Sequence, residues 1–171
     1  HVDTGMGFER IVRVLQNKTS NYDTDLWGPI FESIQNHTGA KAYQAQLEDS
    51  VDIAYRVLAD HIRCLVVAIA DGGRPGPVGR EFVLRRILRR GVRHAHQTLG
   101  VHGPLLYKLV PTVVETIGTT FPEISEQQEL IAHIIKDEEE SFLTTLDRGI
   151  ELFEKAAQNG DGKTIDAKSA F

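Results

Sequence analysis

Apolar residues recur at helical spacing along nearly the whole chain, and no segment alternates convincingly with period two. Phe8 to Leu15 has the spacing of a helix, and the polar, turn-rich stretch from Asn17 to Asp25 reads as a loop. A second helix is predicted from Asp25 to about Thr38, with Leu26, Trp27, Ile30, Phe31 and Ile34 on one face and Gly39 as its stop. Ala40 to Ser50 gives only a weakly determined connection. Val51 to Ala70 is the clearest helix: apolar residues cover most of its circumference and leave a narrow polar stripe at Asp52, Arg56, Asp60 and Arg63, the pattern of a central helix. Asp71-Gly72-Gly73 ends it, and Arg74-Pro75-Gly76-Pro77 cannot continue it.

The next helix, about Val78 to Leu99, buries Leu84, Ile87, Leu88, Gly91, Val92 and Ala95 on one stripe. Leu105 to Gly118 predicts a short apolar helix that Pro111 must kink, unless the proline sits in its first turn. Ser125 opens a long amphipathic helix to about Ala157, with Glu126 and Gln128 suited to its N-terminal cap. Residues 158–162 read as a surface turn, and Ile165 to Phe171 as the start of another element. The fold class that follows is all-α, a helical bundle.

A length of 171 residues with 41% hydrophobic positions suffices for a core, and a single Cys excludes a disulfide scaffold or a multi-thiolate zinc site. No apolar run approaches the roughly 18 residues of a membrane span, so no membrane partner is expected. The start at His1-Val2-Asp3-Thr4-Gly5, without Met and inside a motif, predicts a fragment of a longer protein.

Charge changes the picture more. The total is −5, yet Gly72 to Val114 holds seven Arg and one Lys against one acid, Glu81; that stretch is +7 and the remainder −12. A net-acidic protein with one concentrated basic element is built to meet a polyanion locally. In the helix that carries the run, Arg86, Arg90 and Arg93 lie at i, i+4, i+7, opposite the buried stripe, and Arg85 and Arg89 flank them. Guanidinium groups on one face can contact successive phosphates, for which the planar fork is suited. The residues alone leave a second reading open, in which the arginines clamp this helix to acids of the long one at Asp137 to Glu140. Arg56, Asp60 and Arg63 have the spacing of intrahelical ion pairs. His61 reads as a core or boundary histidine and Cys64 as a core residue. No nucleophile with a base, carboxylate pair, metal cluster or phosphate-loop motif stands out.

Val2-Asp3-Thr4-Gly5-Met6-Gly7-Phe8-Glu9-Arg10 resembles the third signature motif of class II aminoacyl-tRNA synthetases, in the form seen in the alanyl-tRNA synthetase family. Further blocks resemble that family in the same order: residues 21–25, 55–63, 69–72 and 83–90, then Glu138-Glu139-Glu140 and Leu146-Asp147-Arg148-Gly149. The resemblance implies that residues 1–16 are the C-terminal edge of the aminoacylation domain and 17–171 a helical domain binding the acceptor stem of alanine tRNA. It implies that Asp3 and Gly5 line the alanine site and that Arg10 contacts an ATP phosphate, roles that suit a carboxylate facing an ammonium, a glycine allowing close approach and a fixed phosphate clamp. Glu9 is expected to be a structural partner.

The tRNA contacts expected are Arg74, Arg80, Arg85, Arg86, Arg89 and Arg93, with Arg90 nearer the rim. ATP with Mg, alanine and tRNA are the ligands implied for an intact ligase. The chain alone, without the first and second motifs, is expected to be inactive and to bind no cofactor. The alternative is a non-catalytic RNA- or protein-binding module derived from a synthetase. The family usually has Pro-x-Asn-x-Gly-Arg before the basic helix, and the Asn helps read a G:U pair. Here Pro77 holds that position and offers neither an amide nor a backbone N–H. Mitochondrial forms look similar in lacking the Asn, so the resemblance leans towards the mitochondrial matrix, with the cytoplasm as the alternative.

Overall fold

The computed structural model describes residues 2–158: seven α-helices and one 3₁₀ turn, with no strand among the described residues. The helices are α1 (Phe8–Leu15), α2 (Gly28–Thr38), α3 (Ser50–Ala70), α4 (Gly79–Gln97), α5 (Leu106–Ile117), α6 (Pro122–Glu126) and α7 (Gln128–Gln158), with the 3₁₀ turn at Asn21–Asp23. The all-α expectation holds. The element predicted from Ile165, and all but the first residue of the turn predicted at 158–162, lie outside the described residues.

α3 is the central helix, as its nearly complete apolar circumference requires: Tyr55, Leu58, Ile62, Leu65, Val66 and Ile69 are fully buried. It packs most extensively on α4, and also on α5, α2, α6 and α7, while α7 braces both α5 and α4. Asp49 starts α3 by accepting the Val51 and Asp52 N–H groups at 3.0 and 3.1 Å, satisfying two of the donors that every helix start leaves over. α4 approaches the start of α5 where Gly91 leaves room; a methyl there would stand 3.1 Å from Leu106 Cδ1.

Several elements differ from the periodicity. α2 starts at Gly28, with Pro29 in its first turn, because Trp27 is drawn out of the helix by its indole N–H bond to the Asn21 carbonyl at 2.8 Å. Pro111 lies inside α5 rather than in its first turn. The long helix does not open at Ser125. Short α6 ends at Gln127, whose side chain donates to the Ala70 carbonyl at 3.1 Å and covers the end of α3, and α7 then begins at Gln128.

The polar stripe of α3 is also reassigned. Asp52 is fully buried and accepts the backbone N–H groups of Gln44 (3.1 Å) and Gln46 (2.6 Å), so it organises the 40–50 connection instead of facing water. Arg56 donates to the Gln46 and Leu47 carbonyls and Arg63 reaches Glu9; neither pairs with Asp60. Long guanidinium arms find bare carbonyls and a distant carboxylate more rewarding than an exposed i, i+4 pair worth a few tenths of a kcal/mol. Cys64 faces outward rather than into the core.

Glu139 is the most deeply buried charge-bearing side chain on α7, 1% exposed. Its carboxylate accepts the N–H groups of Leu105, Leu106 and Tyr107 at 2.9, 2.8 and 3.0 Å, which caps α5 from a helix 32 to 34 residues away. Burial pushes its pKa up, and the three N–H bonds and Lys108 pull it down less strongly. Glu139→Gln presents an amide N–H₂ to at least one of these donors and leaves it unpaired. A loss of about 1–3 kcal/mol in unfolding free energy is expected by denaturant titration, with Glu139→Ala costing more.

Candidate functional site

The basic helix α4 starts from the turn that precedes it. Gly76 donates its N–H to the Glu81 carbonyl at 3.0 Å, and a side chain at Gly76 would collide with the Glu81 side chain. Gly79, at φ 58°, takes the left-handed conformation that releases α4 from the Pro75–Pro77 turn. The single acid of α4 is therefore packed against its own turn, and the arginines beyond it are left without a neighbouring counter-charge on the same helix.

The arginines divide into two sets. Arg89 donates to Glu138 Oε1 through Nε at 2.9 Å and stands 2.8 Å from it through Nη2, while Arg85 Nε lies 3.0 Å from the same oxygen. Glu138 is 10% exposed at its side chain, so this is a half-desolvated clamp between α4 and α7. The Arg89 guanidinium also lies 4.9 Å from the centre of the Phe142 ring. Arg80, Arg86, Arg90 and Arg93 are exposed, and none has a carboxylate partner among the described residues.

Arg86, Arg89, Arg90 and Arg93 line an open groove of about 530 Å³, floored by Val83, Ile87 and Phe142 and flanked by His61. The spacing that placed Arg86, Arg90 and Arg93 on one face and Arg85 and Arg89 beside them is the spacing seen, but Arg90 is in the groove rather than at a rim. The local field is positive enough to act on His94, whose pKa is pushed down by burial first and then by Arg93 and Arg90. Arg74 is elsewhere engaged, donating to the Gly73 and Ile69 carbonyls at 2.7 and 3.2 Å beyond the end of α3. Pro77 is exposed in the turn.

A second pocket, of about 330 Å³, has Arg10 on its wall with Gly7, Glu9, Asn21, Tyr22, Trp27 and Asp60, the neighbour of His61 on α3. Asp3 and Gly5 are exposed and do not line it; Asp3 Oδ1 accepts the N–H of Thr4 at 2.7 Å. Glu9 is a structural partner, 2.7 Å from Arg63. His61 is 8% exposed, as expected of a boundary histidine. The alternative reading of the arginines as a clamp to the acids at Asp137 to Glu140 is met by Arg85 and Arg89, which both approach Glu138; sequence reasoning missed His61 and Phe142 beside the groove. The i, i+4 spacing of Arg85 and Arg89 was the available signal for the clamp, since two cations one turn apart can converge on one carboxylate.

The whole chain, residues 1–171, matches the family model described as tRNA synthetases class II (A). Over 167 residues it is 54% identical to an alanine–tRNA ligase of Chlorobium phaeobacteroides, covering 96% of this chain and 19% of that protein. It is 50% identical over 163 residues to a cytoplasmic alanine–tRNA ligase of Caenorhabditis elegans (93% and 17%), and 47% identical over 179 residues to a mitochondrial one of Saccharomyces cerevisiae (100% and 18%). The chain thus spans about a fifth of the length of these relatives, which include both cytoplasmic and mitochondrial forms. With the family model covering every residue and such identity from bacteria to animals, the chain belongs to the class II aminoacyl-tRNA synthetases, among the alanine–tRNA ligases.

Proposed function

We propose that this chain is the part of an ATP-dependent alanine–tRNA ligase that joins the edge of the aminoacylation domain, residues 1–16, to the helical domain that holds the acceptor stem of alanine tRNA. The observation that carries the reading is the groove along α4, where three exposed arginines without partners converge with Arg89 over an apolar floor. A duplex backbone offers phosphates at regular intervals, and a helix with guanidinium groups at i, i+4, i+7 matches that linear array. Arg86, Arg90 and Arg93 are the principal phosphate contacts, with Arg80 at the helix start as a further one. Arg85 and Arg89 act first as the clamp to Glu138, and Arg74 shapes the turn.

In the second pocket, Arg10 fits a phosphate of ATP, since it borders open space beside Gly7. Asp3 and Gly5 would meet the ammonium of alanine. No group of three or more His, Cys, Asp or Glu residues that could hold a metal occurs among the described residues. Pro77 in place of the expected Asn is the feature that favours a mitochondrial form. It also moves the burden of reading the wobble pair away from this turn.

Two measurements separate the two sets of arginines. Binding of an acceptor-stem minihelix across a salt series should give a steep slope, and replacing Arg86, Arg90 and Arg93 with Ala together should flatten it by about 2–3 in log K against log salt. A slope left unchanged by that triple variant would remove the groove from the interface. Arg85→Ala or Arg89→Ala, by contrast, leaves Glu138 short of a partner. The expected loss is about 1–2 kcal/mol of folding stability after allowance for the 26% of Arg85 and 33% of Arg89 that stay in water, read by denaturant unfolding.

A further inference from the structure

α1 is an amphipathic helix that buries none of its own residues. Phe8, Ile11, Val14 and Leu15 are all exposed, and α1 packs chiefly on the 3₁₀ turn at Asn21–Asp23. Among the described residues, α1 is tied to the bundle by polar side-chain contacts. Two are present. Gln16, at the end of α1, accepts the Asp25 N–H at 3.2 Å and donates to the Asp25 carboxylate. Glu9, in the first turn, accepts from Arg63 Nη2 at 2.7 Å across 54 residues of sequence.

Arg63 is unusually well placed to anchor that turn. Its guanidinium lies 4.4 Å from the centre of the Trp27 ring, and Trp27 is 2% exposed and itself fixed by its bond to Asn21. The side chain of Arg63 is 18% exposed, and its Nε and Nη1 are buried with no partner, so Glu9 is the only protein acceptor its guanidinium bonds among the described residues. A cation lying on an indole face, short of acceptors and desolvated, holds a carboxylate strongly. Glu9 adjoins Arg10, about 100° away around the helix, so fixing one fixes the direction of the other.

We infer that Arg63 is a positioning residue for ATP: acting through Glu9, it holds the first turn of α1 and hence the aim of Arg10, and so ties the nucleotide pocket to the central helix of the tRNA-binding domain. The inference rests on the reading of Arg10 as a phosphate contact. It does not depend on which residues contact the tRNA.

The test uses the full-length ligase carrying this segment and measures alanine-dependent exchange of pyrophosphate into ATP for four variants: Arg10→Ala, Arg63→Met, Arg63→Lys and Glu9→Gln. Arg63→Met and Glu9→Gln should each raise the KM for ATP about ten-fold while kcat and the KM for alanine change less than about two-fold, and Arg63→Lys should recover part of the loss. Glu9→Gln leaves Arg63 on Trp27, so its effect should come without a lower melting temperature. If Arg10→Ala raises the KM for ATP and the Arg63 and Glu9 variants do not, the positioning role is overturned and the reading of Arg10 stands. If Arg10→Ala itself leaves the KM for ATP unchanged, the reading of Arg10 fails and the inference falls with it. Uniform losses in kcat and both KM values that track the melting temperature, without recovery in Arg63→Lys, would reduce Arg63 to a purely structural residue.

Discussion

Two neighbouring glutamates on α7 hold together the parts of the molecule that matter most. Residues 138 and 139 point about 100° apart on a helix. One carboxylate takes two arginines of α4, and the other takes three N–H groups at the start of α5. α5 in turn packs against α2 and α3, and α4 packs against α3. A single turn of α7 therefore ties the basic helix and the start of α5 together, beside the larger packing of α4 on α3. Both glutamates are nearly removed from water, so neither is neutral to lose: losing Glu139 leaves backbone N–H groups without a partner, and losing Glu138 leaves two half-buried arginines without a counter-charge.

The clamp has a consequence for binding. A run of six arginines on one helix repels itself, and a folded chain must either spread the charge or neutralise part of it. Glu138 offsets one unit of the charge on Arg85 and Arg89 and uses both as structure. That leaves the exposed set one turn apart along the opposite edge, presented over Val83, Ile87 and Phe142 rather than over acids. Arg89 belongs to both sets, since it is held by Glu138, covers Phe142 and still borders the groove. The stability of the clamp and the shape of the groove are thereby joined in one side chain.

How much of this was legible in the sequence depended on whether the deciding contact was local. The helix spans α3, α4 and α5 followed from apolar periodicity, because burial of a stripe is a property of the segment itself. Gly39, at φ 69°, ended α2 for the reason that its position suggested. The grouping of Arg86, Arg90 and Arg93 was equally local. What failed was decided at a distance. Asp52 looked like part of a wet stripe because nothing in its neighbourhood announces that the backbone of residues 44 and 46 needs an acceptor. Arg63 looked like a partner for Asp60, and its true partner is 54 residues upstream. Gln127 breaks α6 from α7 because it is needed at the end of α3, a demand that no window around Gln127 contains. The family resemblance marked residues 138–140 as a block without saying that 138 and 139 serve different helices.

The distribution of charge adds a constraint on how a polyanion can approach. α4 carries six arginines and one acid, whereas α7 carries eight acids and three bases, and the two helices pack side by side. Partial neutralisation at Glu138 joins them, but Asp137 and Glu140 remain exposed on the far side of the seam. An RNA backbone held in the groove as proposed, if displaced towards α7, would meet like charge about one helix diameter away, a distance comparable to the roughly 8 Å over which salt screens at physiological ionic strength. A basic protein would bind the duplex in many orientations and rely on contacts to sort them. On the proposed reading the acidic remainder would do the sorting before contact, at a site whose turn carries Pro77, which offers neither a side-chain amide nor a backbone N–H.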